Sequence, residues 1–329
     1  MELLLTGSTG FVGRNLLLKI VEDQRWDKII LPVRDPEKLR SQLQGERINH
    51  DARLAIIKVS HDAWELPFGT QPDLVIHAAG RLFGRKREEY FQTNVAGSVS
   101  IAKQLPATAS MIVLSSLAAG GPTPEGIAAR TIHDPDAPVS YYGASKLAME
   151  RELRTLLGER LLILRPPMVL GPRDTATVPL FQMTQGKFWM KPGLQPKHYS
   201  WIAVDDLCKA ILKVASADWP EGGSFYLTAQ EQITDTELLS TAGRVQEKKG
   251  FLMPVPLIAL DLLSLILDAV PAWRNAVPSL GRDRVREILP DRWVCDGSEF
   301  AEKFSWNPES DLEETLRQTA EWLKEQGKI

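Results

Sequence analysis

The sequence predicts an α/β protein: a doubly wound parallel sheet with helices on both faces, followed by a smaller, mostly C-terminal domain. Three observations predict it. Short apolar runs alternate with helical patterns through the first half of the chain, the pattern left by parallel strands and their crossover helices. A glycine-rich turn lies between the first apolar run and the first helical pattern. The alternation ends near residue 170, beyond which prolines and aromatic residues become frequent.

Taken in order, the runs at 3–6, 29–33, 54–59, 74–77, 111–115 and 161–165 read as strands. The segments 12–22, 36–43, 88–104 and 142–157 read as helices. A further helix at 204–214 returns to the first domain, and 310–326 is amphipathic, with Leu312, Leu316, Thr319 and Leu323 at helical spacing. The expected division is a first domain at 1–170, joined by 201–216, and a second region at 171–200 and 217–329.

Composition excludes several classes. Hydrophobic residues make up 43% and charged residues 25% of the chain, as in ordinary soluble proteins. A net charge of -3 supplies no basic field for nucleic acid. Cys208 and Cys295 stand outside any CxxC or Cys/His cluster, so neither a disulfide framework nor a metal site is expected, and a reducing, cytoplasmic setting is. The N-terminal MELLLTG runs straight into the glycine motif, a pattern that predicts no secretory signal. The most apolar stretch, 251–273, is broken by Pro254, Pro256, Asp261, Asp268 and Pro271. A span needs roughly 18 or more nearly uninterrupted apolar residues. The stretch therefore reads as core, pocket lining or interfacial membrane contact.

The glycine motif is Gly7-x-x-Gly10-x-x-Gly13. The first glycine permits a tight turn, the second lets the backbone approach a pyrophosphate, and the third allows close helix packing. Free amides at the helix start then hold the anion. This identifies a Rossmann-type dinucleotide site, with Gly7, Thr9, Gly10, Phe11, Val12, Gly13 and Arg14 as contacts. The second strand ends in Arg34-Asp35-Pro36. Arginine there, helped by Arg14, suits the 2′-phosphate of NADP, whereas an acid such as Asp35 suits the ribose of NAD. NADP (NADPH) is the expected cofactor, with NAD second; the competing reading of Arg34 is a solvated surface charge.

Tyr142 and Lys146 lie four apart and so share one helix face. A tyrosine near pKa 10 is a poor base, but a neighbouring ammonium stabilises its phenolate. Such a tyrosine exchanges a proton with a ketone or alcohol oxygen as hydride moves. Tyr141 has Ser145 at the same spacing and is the weaker candidate.

With these residues the chain resembles the extended short-chain dehydrogenases/reductases, which include nucleotide-sugar epimerases, dihydroflavonol reductases and 3β-hydroxysteroid dehydrogenases. The resemblance rests on the glycine motif, Asp73-Leu-Val-Ile-His77-Ala-Ala79-Gly80, Thr93-Asn94-Val95, Ser115-Ser116, Tyr142-x-x-x-Lys146, Leu164-Arg165-Pro166 through Gly171-Pro172, Val204-Asp205-Asp206 and Phe304-Ser-Trp306-Asn-Pro308. It implies that Ser116 (or Ser115, if the pair is slipped by one) hydrogen-bonds the substrate oxygen. It also implies that Asn94 organises a proton relay near Lys146; a simple helix-bend role is the competing reading. Ala78, Ala79 and Gly80 would line the cofactor ribose, and Pro166 to Val169 would meet the nicotinamide. His77 reads as a buried structural histidine. Where the group often has Gly-Asp near the adenine, this chain has Ser60-His61-Asp62. The resemblance further implies a homodimer through the helices bearing Asn94 and Tyr142.

Epimerases and dehydratases often carry an asparagine just after the position of Arg165, and dehydratases an Asp-Glu pair near the serine. Here the segments read Arg165-Pro-Pro-Met-Val-Leu-Gly171 and Ser116-Leu-Ala-Ala-Gly120. Both departures favour carbonyl/alcohol redox on a bulky apolar molecule, such as a steroid, polyketide or sphingoid lipid. The alternatives are a nucleotide-sugar epimerase or dehydratase, and a non-catalytic dinucleotide sensor. Phe181, Phe188, Trp189, Met190, Trp201 and the 251–267 stretch either line a pocket or form core. Arg81, Arg85, Lys86 and Arg87 either meet an anionic group or start a solvated helix.

Overall fold

The computed structural model describes residues 1–44, 46, 48, 51–60, 64–217, 222–269 and 281–329, with backbone alone at 267–269. His61 and Asp62 of the adenine-side segment, and residues 270–273 of the apolar stretch, lie outside the described residues.

The described residues form two compact units that interleave along the chain. The first comprises Met1–Ser116, Ser145–Arg165 and Cys208–Phe225; the second comprises Leu117–Ala144, Pro166–Leu207 and Tyr226–Ile329.

The first unit is built on β1 (Glu2–Thr6), β2 (Lys28–Val33), β3 (Leu54–Lys58), β4 (Leu74–His77), β5 (Ser110–Leu114) and β6 (Leu161–Arg165). These pair in parallel in the order β6-β5-β4-β1-β2-β3, and a seventh strand, Gly223–Tyr226, extends the sheet beside β6. Leu4, Val75, Met111 and Ile163 form a buried core with Met149 and Leu153 of helix Tyr141–Leu157. Burial on both faces explains why these strands read as continuous apolar runs rather than alternating ones. The strand order reverses between β1 and β4, the place where doubly wound sheets bind ligands at their carboxyl ends.

One expectation needs correction here. The predicted continuous helix over 88–104 is an α-helix (Arg87–Phe91), a π-helical turn (Gln92–Ala96) and a second α-helix (Gly97–Lys103). The apolar spacing is insensitive to one extra residue, so it reads straight through the π-turn.

In the second unit, Met168–Leu170 pairs with Trp201–Ala203, and two short strands, Ile233–Thr234 and Arg292–Trp293, flank His198–Tyr199. Phe181, Trp201, Ala242, Leu316 and Leu323 form its core, the last two from helix Leu312–Glu325, which Asp311 caps through Glu314 N. Asp206 accepts hydrogen bonds from Glu309 N (3.1 Å) and Ser310 N (2.9 Å), pinning the segment that leads into that helix. The residues suggested as pocket lining divide differently. Phe181, Trp189 and Trp201 are buried, whereas Phe188, Met190, Phe251, Leu252 and Met253 are exposed.

Candidate active site

In the first unit, the glycine loop fits its predicted use. Gly7 has φ +77°, and a Cβ there would come within 2.6 Å of Ala79 N and 2.7 Å of Ala78 C. The loop therefore lies directly against the backbone that follows β4. A Cβ on Gly13 would come within 2.2 Å of Gly7 O, so helix Phe11–Glu22 packs onto the turn itself. Gly10 occupies the N-cap position and supplies no side-chain acceptor to the first amides of that helix. Beside it, the buried Ser8 hydroxyl has no hydrogen-bond partner among the described residues. Uncapped amides, an unpartnered hydroxyl and a cradle that only glycine can form fit a dinucleotide pyrophosphate.

The loop's neighbours are partly committed. Arg14 donates to Gln42 O (2.5 Å) and pairs with Glu46 (3.4 Å), while Gln42 Nε2 donates to Thr9 O (3.3 Å). Phe11 and Val12 are half-buried, and Arg34 is exposed just past β2. Asp35 caps helix Pro36–Leu43, its Oδ1 accepting from Lys38 N at 3.0 Å. One oxygen of the only acid at the end of β2 is thus occupied by a helix terminus. In the basic cluster, Arg81 pairs with Glu89 (2.8 Å) and Arg87 stacks over the Phe91 ring (3.9 Å), so part of it serves local structure.

Gly80, Asn94 and Lys146 come together. Lys146 is buried and donates from Nζ to Leu114 O (2.7 Å), and a Cβ on Gly80 would sit 3.1 Å from that nitrogen and 3.4 Å from Asn94 Oδ1. Asn94 Oδ1 accepts from Arg81 N (2.7 Å), while its Nδ2 donates to Ser145 Oγ (2.8 Å) and Arg81 O (3.2 Å). Asn94 lies in the π-turn, so it sits at a helix irregularity, and its side chain is held at both its oxygen and its nitrogen. Burial pushes the Lys146 pKa down to about 8, opposed by the charge of Glu150 one turn along the helix.

His77 is the structural histidine expected. Its Nδ1 is 2.8 Å from Thr6 Oγ1 and its Nε2 is 2.7 Å from Ser98 Oγ, which donates in turn to Asn94 O (2.7 Å). Because the Ser98 proton goes to Asn94 O, Ser98 accepts from His77 Nε2–H and Thr6 donates to Nδ1. Burial, and secondarily the charge of Lys146, lower its pKa from 6.5 to about 3. The folded value lies below the unfolded one, so the unfolded chain binds the extra proton across that window. This contribution to stability is complete above pH 6.5 and fades as pH falls towards 3. Urea midpoints measured between neutral and acid pH should therefore fall less in His77→Gln than in the parent; equal slopes would exclude this role.

Ser115 and Ser116 differ in setting. Ser115 is buried with its Oγ unpartnered among the described residues, and Ser116 is half-buried. Two features of this unit escaped the sequence reading. The seventh strand is one. The other is a bidentate pair inside the core, in which Arg165 Nε and Nη2 meet the Glu150 carboxylate at 2.9 and 2.6 Å. Arginine ending the apolar run Leu-Leu-Ile-Leu was the available signal.

In the second unit, Tyr142 is half-buried against a cluster containing Leu117, Ala118, Tyr226 and Trp293. Pro166 O accepts from Leu117 N (2.9 Å), and Val169 pairs with Ile202. The start of the Tyr142 helix is held from both near and far. Ser140 Oγ accepts from Gly143 N (2.9 Å) and donates to Glu287 (2.5 Å), and Asp283 Oδ1 accepts from Tyr141 N (2.6 Å). Burial raises the Glu287 carboxyl above its usual range, with Arg284 opposing. No local sequence signal links residues so far apart.

Fold and site together define an NAD(P)-dependent enzyme of the short-chain dehydrogenase/reductase type. The model of the NAD dependent epimerase/dehydratase family matches residues 3–226, and the chain belongs to that family. Among curated relatives, a ceramide reductase from Caulobacter vibrioides is 28% identical over 304 residues, covering 91% of this chain and 87% of the relative. A UDP-glucose 4-epimerase from Vibrio cholerae is 26% identical over 340 residues, covering 97% and 94%. Among solved structures, UDP-glucuronic acid 4-epimerase from Bacillus cereus, in complex with UDP-glucuronic acid and NAD, has a TM-score of 0.75 at 16% identity, with 99% of this chain and all 100% of that one covered. The dTDP-glucose 4,6-dehydratase of Bacillus anthracis, in complex with NAD, has a TM-score of 0.70 at 17% identity, with 99% and 97% covered. These two likenesses show the fold.

Proposed function

We propose that this protein is an NADP-dependent oxidoreductase that interconverts a ketone and a secondary alcohol on a bulky, largely apolar molecule of the sphingoid-lipid kind. The observation that carries this reading is the likeness to the ceramide reductase along most of both chains. The segments after Arg165 and Ser116, which lack the asparagine and the acids expected of sugar-nucleotide enzymes, support it. The Vibrio cholerae epimerase favours a second reading, a nucleotide-sugar epimerase. The buried, unbridged Cys208 and Cys295 support a cytoplasmic setting for either.

When bound, the dinucleotide supplies or accepts the hydride. The rest falls to the chain's own groups. Tyr142 Oη gives a proton to the carbonyl oxygen, or takes one from the alcohol, and Ser116 orients that oxygen by a hydrogen bond. Lys146, held by Leu114 O, places an ammonium four residues along the helix from Tyr142 and favours its phenolate. Asn94 fixes the backbone at Arg81 and the Ser145 hydroxyl beside that lysine.

Each buried methylene is worth about 0.8 kcal/mol. A series of 3-oxo compounds of growing chain length, assayed with NADPH, should therefore show falling KM. Flat values together with binding of a UDP- or dTDP-sugar would establish the epimerase reading instead. The choice of NADP rests on the exposed Arg34, the nearby Arg14 and the engagement of Asp35 as a helix cap. Losing a charge-assisted hydrogen bond weakens binding by about tenfold or more. Titration of Arg34→Ala should show that loss for NADPH and little change for NADH; an unchanged preference would end the case for NADP.

A further inference from the structure

We propose that an apolar ribbon and helix of the second unit, rimmed by lysines, seat this protein on an anionic lipid surface. Strands Phe188–Pro192 and Phe251–Val255 pair in parallel, with Phe251 opposite Phe188 and Met253 opposite Met190. Paired residues share a face, so these four side chains stand together. All are exposed, from 44% at Met253 to 75% at Phe251. The other face of the ribbon is anchored: Trp189 is buried where Gly243 and Gly250 leave room for its indole. Through Pro256 the chain enters helix Leu257–Ala269, where Ile258, Leu262, Leu265 and Ile266 are exposed at helical spacing. Contiguous apolar surface of this kind marks an interaction site.

The helix is about 20 Å long at 1.5 Å per residue, too short to span a bilayer. No helix among the described residues is long and apolar enough to cross a membrane. Charge selects the partner. Lys187 precedes the first strand of the ribbon, Lys248 and Lys249 precede the second, and the hydrogen bond from Phe251 N to Lys187 O (2.8 Å) brings the two strand starts together. All three lysines are exposed, and none has an ion pair among the described residues. They gather on a chain whose net charge is -3, and Asp261 is the one acid between Phe251 and Ile266. Aromatic and methionine side chains beside unpaired cations match the interface of an anionic bilayer, where tails meet acidic headgroups.

The test is flotation of the full chain with vesicles of equal parts phosphatidylglycerol and phosphatidylcholine, against phosphatidylcholine alone. Binding to the first and not the second is expected. Each lysine near such a surface contributes about fivefold in affinity, so Lys248→Ala with Lys249→Ala should weaken binding about 25-fold. Phe188→Ser with Phe251→Ser should weaken it at unchanged charge, and NADPH titration of both variants should match the parent. No flotation, or flotation indifferent to headgroup charge and to the lysines, would overturn the proposal. So would concentration-dependent dimerisation that the phenylalanine variant abolishes while vesicles stay unbound, which would assign the face to a second copy. The proposal does not depend on which substrate the enzyme takes.

Discussion

Tyr142→Phe should lower turnover by about a hundred- to ten-thousand-fold, the usual contribution of a positioned acid/base, while the affinity for NADPH stays close to that of the parent. The ring that packs against Leu117, Ala118 and Tyr226 is kept and only the hydroxyl is removed, so the fold has no reason to change. Steady-state rates and a cofactor titration on the same preparation separate the two effects. Parent-like turnover would remove Tyr142 from the chemistry. Loss of both activity and cofactor binding would make its role structural.

The second large effect concerns stability. Glu150 and Arg165 are buried, with 2% and 3% of their side chains exposed, and they meet in a two-pronged contact. Removing one partner of a buried pair leaves the other charge without compensation and costs about 3–5 kcal/mol. Glu150→Ala should therefore lower unfolding stability by about that much in chemical denaturation. Replacing both residues by apolar ones of similar volume should recover most of the loss. A single variant as stable as the parent would show that the pair contributes nothing. Glu150 also opposes the burial that pushes Lys146 down to about 8. In Glu150→Gln the lysine pKa falls further, so activity at pH 8 should drop relative to pH 6.

The sheet was legible because both of its faces are covered. Strands buried on two sides must be apolar throughout, and the six predicted runs lie within about one residue of the observed strands. The glycine loop was legible because its geometry excludes side chains at Gly7 and Gly13. What the sequence hid depended on pairing across distance. Asp283 and Glu287 hold the start of the Tyr142 helix from more than a hundred residues away, and nothing near either position announces it. Arg14 carried no sign that Gln42 and Glu46 engage it. The short strand Gly223–Tyr226 lacked a run long enough to register. The membership of Leu117–Ala144 in the second unit likewise has no mark in the sequence, which pointed only to the return at 201–216.

The π-turn at Gln92–Ala96 behaves as an inserted residue in a helical count. Each residue of an α-helix advances the chain by about 100°, and the wider π-turn takes up one extra residue, so the residues after it keep the faces they would have in a regular helix. Asn94 lies inside the turn and Ser98 just beyond it, yet Ser98 still bonds Asn94 O while meeting His77 Nε2. Deleting a single residue between 92 and 96 would restore a regular helix. Ser98 and Ile101 would keep their faces, and the change would fall on Asn94 and its contacts with Arg81 N and Ser145 Oγ. A homologue with a one-residue gap at this point therefore keeps the segments on both sides in register while the setting of Asn94 changes. A gap placed here in an alignment is a statement about the asparagine that shares the surroundings of Gly80 with the lysine.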